Sequence, residues 1–285
     1  MQPTPALLAE YPLTHTRAEL ERLESQADIC ATFTRSVLLQ AGLAPGMRVL
    51  DVGSGAGDVA LLAAEIVGTS GKVIGSDKSE AALSHAELRV SRLGLGNVRF
   101  VHGDPTNLSF DEPFDAVIGR SVLMYCREPQ LALKRLLRHL RPGGIMAFQE
   151  VNFGSAQLFP EVMLFRLHDD WVSRILSSTG VHLRMGLELY SAFLSAGVVP
   201  NGVRADAPVV GAEDARAEKA FQVLAGVLEA LCPVAKELGV IMPPELDPAT
   251  FAARLLAQFR SSSGVMVWNQ LIGVWACKSG ADPGR

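Results

Sequence analysis

The chain has 285 residues, 48% of them hydrophobic and 20% charged, with a formal net charge of −4. A mean hydropathy of +0.22 and an isoelectric point near 5.9 argue against wholesale disorder and leave no basic field for wrapping a phosphate backbone. Cys30, Cys126, Cys232 and Cys277 are scattered without a C-x-x-C pair, which points to reduced thiols rather than a disulfide frame or a zinc site.

Residues 1–13 lack the basic region and long apolar core of a secretory leader, so a cytoplasmic chain is expected. Thr16-Arg-Ala-Glu19 is a capping-box pattern, with Thr16 as N-cap and Glu19 reaching back to it. The helix that follows should run to about Ala41, where Gly42 and Pro45 stop it. Strand candidates at 48–52, 72–76, 98–101, 116–119 and 145–149 then alternate with helices at 58–67, 79–93 and 130–140. That alternation implies βαβ crossovers and a parallel sheet. Arg141-Pro-Gly-Gly144 reads as the turn before the fifth strand.

Beyond Glu150 the texture changes. Segments 160–176 and 185–196 read as helices and 203–210 as a strand. Residues 212–257 are mostly helical, with breaks at Pro233 and Pro243-Pro244. The apolar run 265–277 closes the chain as a strand. Asn269 and Gln270 interrupt it, and it is shorter than the roughly 20 residues a membrane span needs, so no membrane insertion is expected. The expected organisation is a helical extension at 1–45, an α/β core at 46–210, a helical cap at 211–262, and a last core strand with tail at 263–285.

The most informative stretch is Val49-Leu-Asp-Val-Gly-Ser-Gly-Ala-Gly-Asp58. A β-branched strand ends in an acid and turns through Gly53, Gly55 and Gly57 into a helix, so a ligand can approach bare backbone. The dinucleotide fingerprint G-x-G-x-x-G needs a further glycine, but Asp58 occupies that position. An acid where a pyrophosphate would rest on a helix N-terminus suits a ligand with a cationic end.

Three further signals follow in register. Val73-Ile-Gly-Ser-Asp77 ends a strand in an acid, Gly103-Asp104-Pro105 follows the next strand, and Phe114-Asp-Ala-Val-Ile-Gly-Arg120-Ser121 carries the fourth into a turn. Across residues 47–150 the chain resembles the class I S-adenosylmethionine-dependent methyltransferases, in particular the ubiquinone-type enzymes that act on small molecules. The resemblance implies a Rossmann-like, doubly wound, mostly parallel seven-stranded sheet with an antiparallel last strand. It implies S-adenosylmethionine as cofactor and S-adenosylhomocysteine as product. By the same resemblance, Asp51, Gly53, Ser54, Gly55 and Gly57 pass beneath the methionine and ribose, with Asp51 orienting the ammonium. Asp77, with Lys78 beside it, meets the ribose hydroxyls. Gly103, Asp104 and Pro105 meet the adenine, the Arg120–Ser121 turn lies beside the reactive end of the cofactor, and Arg120 pairs with the methionine carboxylate. The N-terminal helix would close over the cofactor and bring Tyr11 and Gln26 to it.

Residue types name the general base less clearly. His168 falls on a helical stripe with Leu164, Trp171 and Ile175. It reads either as a base facing the acceptor or as a core histidine bonded to a backbone carbonyl. His15, just before the first helix, is a second candidate or an exposed loop residue. Glu150, at the crevice end of the fifth strand, either shapes the acceptor pocket or caps the next turn. The helices beyond Glu150 carry Met163, Phe165, Trp171, Phe193, Phe221 and Leu224, which either suit a small apolar acceptor such as a quinone, terpenoid, polyketide or aromatic metabolite or form only the core of those helices themselves. No basic, aromatic-interleaved stretch suggests RNA. Scattered cysteines disfavour arsenical methylation, and no Tyr-x-x-x-Lys pair supports a dehydrogenase. A cyclase or binding module that holds the cofactor without transfer stays open, as does a homodimer.

Overall fold

The structure, a computed structural model, describes residues 16–279; Tyr11 and His15 lie outside the described residues. Helix α1 (Arg17–Ala41) begins as expected, with the Thr16 hydroxyl accepting from Glu19 N at 3.2 Å, and ends on Gly42 at φ 99°. The Glu19 carboxylate grips Arg22 with two bonds of 2.7 Å. The α/β succession then runs β1 (Arg48–Val52), α2 (Asp58–Val67), β2 (Lys72–Asp77), α3 (Glu80–Arg92), β3 (Val98–His102), β4 (Phe114–Arg120), α4 (Pro129–Leu136) and β5 (Leu140–Asn152). After β6 (Gln157–Phe159) come α5 (Met163–Ser178), α6 (Met185–Ser195), β7 (Gly202–Asp206), β8 (Val209–Gly211), α7 (Arg216–Glu237), α8 (Pro248–Ser261), β9 (Val265–Val267) and β10 (Gln270–Cys277).

Seven strands form one sheet in the order β3-β2-β1-β4-β5-β10-β7. All neighbours are parallel except β10, which runs antiparallel to both β5 and β7. The strand order reverses between β1 and β4, where Val52 pairs with Gly119. The glycine turn after β1 therefore opens beside the Arg120–Ser121 turn, at the crevice where ligands of such sheets bind. Near-continuous apolar strands suit a sheet covered on both faces, and Val49, Leu50, Val52, Val117 and Phe148 are fully buried.

Several elements depart from the sequence expectation. Residues 141–144 do not turn ahead of the fifth strand; they lie within β5, where the pairing with β4 shifts register between Phe114 and Ala116. Pro233 does not break α7, because its missing N–H falls in a helix held by packing along Phe221, Leu224, Leu228 and Leu231. The expected strand at 203–210 divides into β7 in the main sheet and β8 in a small one. The run 265–277 likewise divides at Trp268-Asn269, so that β9 joins β6 and β8 in the small sheet while β10 joins the large one. Over the crevice, α5, α7 and β9 contribute side chains to a common enclosure. Their packing is continuous with the core of the sheet. No described helix is long and apolar enough to cross a membrane.

Candidate active site

A cavity of about 560 Å³ lies over the crevice. Its floor is the turn after β1, where Gly53, Gly55 and Gly57 all adopt positive φ, at 63°, 50° and 87°. Their reasons differ. A Cβ on Gly53 would lie 2.6 Å from Val122, and one on Gly57 would lie 3.0 Å from Ala86, so both glycines permit close packing. A Cβ on Gly55 would meet nothing within 4 Å. Gly55 therefore keeps open space beside the backbone, as a ligand cradle requires.

Asp77, at the end of β2, braces this turn. Its Oδ2 accepts from Gly55 N at 2.8 Å and its Oδ1 from Ser79 N at 2.9 Å. Each carboxylate oxygen keeps a second lone pair for a ligand hydroxyl. Asp51 lies beneath the turn, fully buried, with Oδ2 unpartnered among the described residues. Burial pushes its carboxyl well above the usual range, against the opposing pull of Arg120. Ser54 Oγ and Asp104 Oδ2 are also buried without partners; the other oxygen of Asp104 accepts from the backbone and hydroxyl of Thr106 at 2.8 and 2.7 Å. Asp58 pairs with Arg89 at 2.7 Å, so its charge is matched inside the protein. That weakens the reading of Asp58 as the partner of a cationic ligand.

Of the residues expected to touch the cofactor, Gln26, Gly53, Ser54, Gly55, Asp77, Lys78, Gly103, Pro105, Arg120 and Ser121 line the cavity. Asp51, Gly57 and Asp104 sit behind its wall. The Gln26 amide oxygen accepts from Arg22 at 2.6 Å, and Arg120 donates to Thr34 on α1 at 3.0 Å. Glu150 does not line the cavity. Its Oε1 accepts from Val122 N and Leu123 N at 3.0 and 2.8 Å and its Oε2 from Met124 N at 3.3 Å, pinning the turn after β4. Burial raises its pKa to about 7 against those donors. Ser121, held in that turn, has φ 54°.

The far half of the cavity is the lid chamber, walled by Met124, Phe153, Phe165, Val172, Leu224 and Met266. His168 lines it and lies stacked against Phe251, with ring centroids 5.2 Å apart. Its Nε2 donates to the Leu224 carbonyl at 3.2 Å, and burial lowers its pKa to about 4. The imidazole is neutral at physiological pH. The bond to the Leu224 carbonyl is the one expected of a core histidine, while the other nitrogen, Nδ1, is buried without a partner among the described residues.

With this geometry in view, comparison with known proteins is decisive. A methyltransferase-domain family model matches residues 43–179. A demethylmenaquinone methyltransferase of Geobacillus kaustophilus is 37% identical over 128 residues, 43% of this chain and 55% of that protein. A 2-phytyl-1,4-naphtoquinone methyltransferase of Synechococcus elongatus is 33% identical over 189 residues, 66% of this chain and 78% of the relative. The chain belongs to the class I S-adenosylmethionine-dependent methyltransferases. The fold agrees: the crystal structure of the [4+2]-cyclase SpnF superposes with a TM-score of 0.55 at 21% identity, covering 88% of this chain and 81% of that one. The chain spans only about half the length of the first of these relatives.

The residues present fit the methyltransferase cofactor. An open cradle at Gly55 and buried carboxylate oxygens on Asp51 and Asp104 without protein partners match a ligand that brings amino and hydroxyl donors. Sequence reasoning missed Arg22, Thr34 and Asp169, which the fold brings to the site or its wall. Arg22 shares one helix face with Glu19 and Gln26 through i,i+3 and i,i+4 spacing, a signal open to detection beforehand. Thr34 carried no comparable mark.

Proposed function

We propose that this protein transfers a methyl group from S-adenosylmethionine to an oxygen or carbon of a small, largely apolar metabolite by in-line displacement. The single observation that carries this reading is the continuity of the cavity, which runs from the Gly55 cradle and Asp77 into the apolar chamber under α5 and α7. Donor and acceptor would share one enclosure.

When bound, the sulfonium supplies an activated methyl and a neutral leaving group, so the protein's own task is to position and exclude water. In this reading Asp77 accepts the ribose hydroxyls, Asp104 the adenine amino group, Asp51 the ammonium, and Arg120 faces the carboxylate. Lys78, Gly103, Pro105 and Ser121 complete the wall, and Gln26 reaches it from α1. The carboxylate Glu150 shapes the turn at the methyl end rather than touching substrate. His168, with a pKa near 4, orients the acceptor more readily than it takes a proton. The reading has the protein acting in the cytoplasm, on metabolites rather than nucleic acid.

Titration calorimetry with S-adenosylmethionine and S-adenosylhomocysteine tests the cofactor half: absence of binding by both ends the proposal. Conversion of labelled cofactor to S-adenosylhomocysteine with a panel of hydroxyaromatic acceptors tests transfer. Turnover of an acceptor without cofactor consumption would instead favour a cyclase.

A further inference from the structure

On the α5 side of the lid chamber the polar groups are hydrogen-bond acceptors. The N–H of His168 is already committed to the Leu224 carbonyl, which fixes the tautomer and leaves Nδ1 as a bare lone pair. One residue on, Asp169 also lines the cavity, half-buried beside Phe165, Val172 and Leu224. Its carboxyl makes no hydrogen bond or ion pair with the described residues. Burial and the adjacent Asp170 push it up from the ordinary carboxylate range. A carboxylate facing an apolar chamber without a partner is costly unless something supplies a donor. Asn269, which lines the cavity from the β9–β10 connection, has its amide oxygen committed to Ser155 N and Ala156 N at 3.2 and 3.1 Å.

We infer that the acceptor carries a hydroxyl of phenol or enol type, and that Asp169 receives this hydroxyl as a specificity-determining hydrogen-bond acceptor on α5. A ketone or ether at that place would set lone pairs against the Asp169 carboxyl and the His168 nitrogen. A hydroxyl satisfies the carboxyl that the protein leaves open. The inference rests on the methyl-transfer reading for what the chamber is for, but it stands or falls on binding alone.

The test uses the full chain loaded with S-adenosylhomocysteine and two probes of one shape, 2-naphthol and 2-methoxynaphthalene. Apolar burial by itself favours the methyl ether, so the hydroxyl must earn any preference through its hydrogen. Wild-type protein should bind the naphthol at least about tenfold more tightly, a difference expected where a site is built around a donor. Asp169→Leu should bring the two probes within about twofold by weakening the naphthol and leaving the ether bound, and Asp169→Asn, which keeps an acceptor oxygen and the side-chain shape, should fall between. Equal binding of the probes by wild type, a preference that survives in Asp169→Leu, or binding of neither probe overturns the inference. Failure to bind S-adenosylhomocysteine would instead remove the methyl-transfer reading, and a naphthol preference measured without it would still report on Asp169.

Discussion

At the scale of single residues, Gly55 and Asp77 form one device. The glycine leaves space for a ligand, and the carboxylate holds the glycine's N–H at 2.8 Å. Gly55→Val adds a β-branched side chain at φ 50°, which costs on the order of 1–2 kcal/mol in backbone strain and fills the cradle. Its expected outcome is loss of S-adenosylhomocysteine binding by at least tenfold in calorimetry, with the circular dichroism of the fold retained. Asp77→Ala should weaken binding as well, and it should also lower stability by about 1 kcal/mol, because two partly buried backbone N–H groups lose their acceptor. Wild-type affinity in both variants would show that the ligand sits elsewhere. Glu150 gives a pH signature. Its folded-state pKa of about 7 lies above the ordinary 4.5, so between those values the native state holds more proton than the unfolded chain. Stability therefore falls as pH rises through that window, by a contribution of order 3 kcal/mol. In Glu150→Gln, which keeps a carbonyl oxygen for Val122 N and Leu123 N, the urea midpoint should depend less on pH between 5 and 7.5. An unchanged slope would refute the assignment.

At the scale of elements, the strands and helices of the α/β half were legible because each obeys a local rule. Thr16 and Gly42 cap α1, and the apolar run of β1 ends in the glycine turn. The lid was less legible because its pieces are short and assembled across distance. Val265–Val267 and Gln270–Cys277 look alike as sequence, and only pairing with different partners, β6 and β8 or β5 and β7, divides them. Pro233 misled for a related reason, since tertiary packing overrides a local breaker. The candidate acids Asp51, Asp77 and Asp104 were legible because motif spacing marks strand ends, whereas Asp169 and Thr34 reach the site only through the packing of α5 and α1. That packing is tight where α1 crosses α7: a Cβ on Gly226 would lie 2.9 Å from both Cγ and Cδ of Arg22. Gly226→Val should push Arg22 and α1 outward, at about 1–3 kcal/mol of stability, and loosen cofactor binding measured by calorimetry. A variant as stable and as tightly binding as wild type would show that this crossing does not position the site.

For the whole molecule, the cavity lies between the sheet crevice and a roof of α1, α5 and α7, so filling it ties together elements that are far apart in sequence. Pins join α1 to its neighbours: Glu24 meets His85 at 2.5 Å, Lys219 of α7 meets Asp28, and Arg120 of β4 meets Thr34 at 3.0 Å. The first two are exposed or partly exposed pairs, and such pairs contribute little by themselves, commonly under about 1 kcal/mol. The roof is thus held largely by apolar packing and by whatever occupies the space beneath it. A ligand that binds only the folded state stabilises it by about 2.7 kcal/mol at a hundredfold excess over its dissociation constant. For a chain of this size that amounts to a rise in melting temperature of at least about 5 °C with saturating S-adenosylhomocysteine. The rise alone would not distinguish a bridging ligand from one bound to the sheet. Hydrogen exchange does: amides in α1 and α7 should slow along with those of the glycine turn, because opening the roof would release the ligand. Protection confined to the turn, with the helices exchanging as in the free protein, would mean that cofactor and roof are not coupled and that the chamber closes on the acceptor alone.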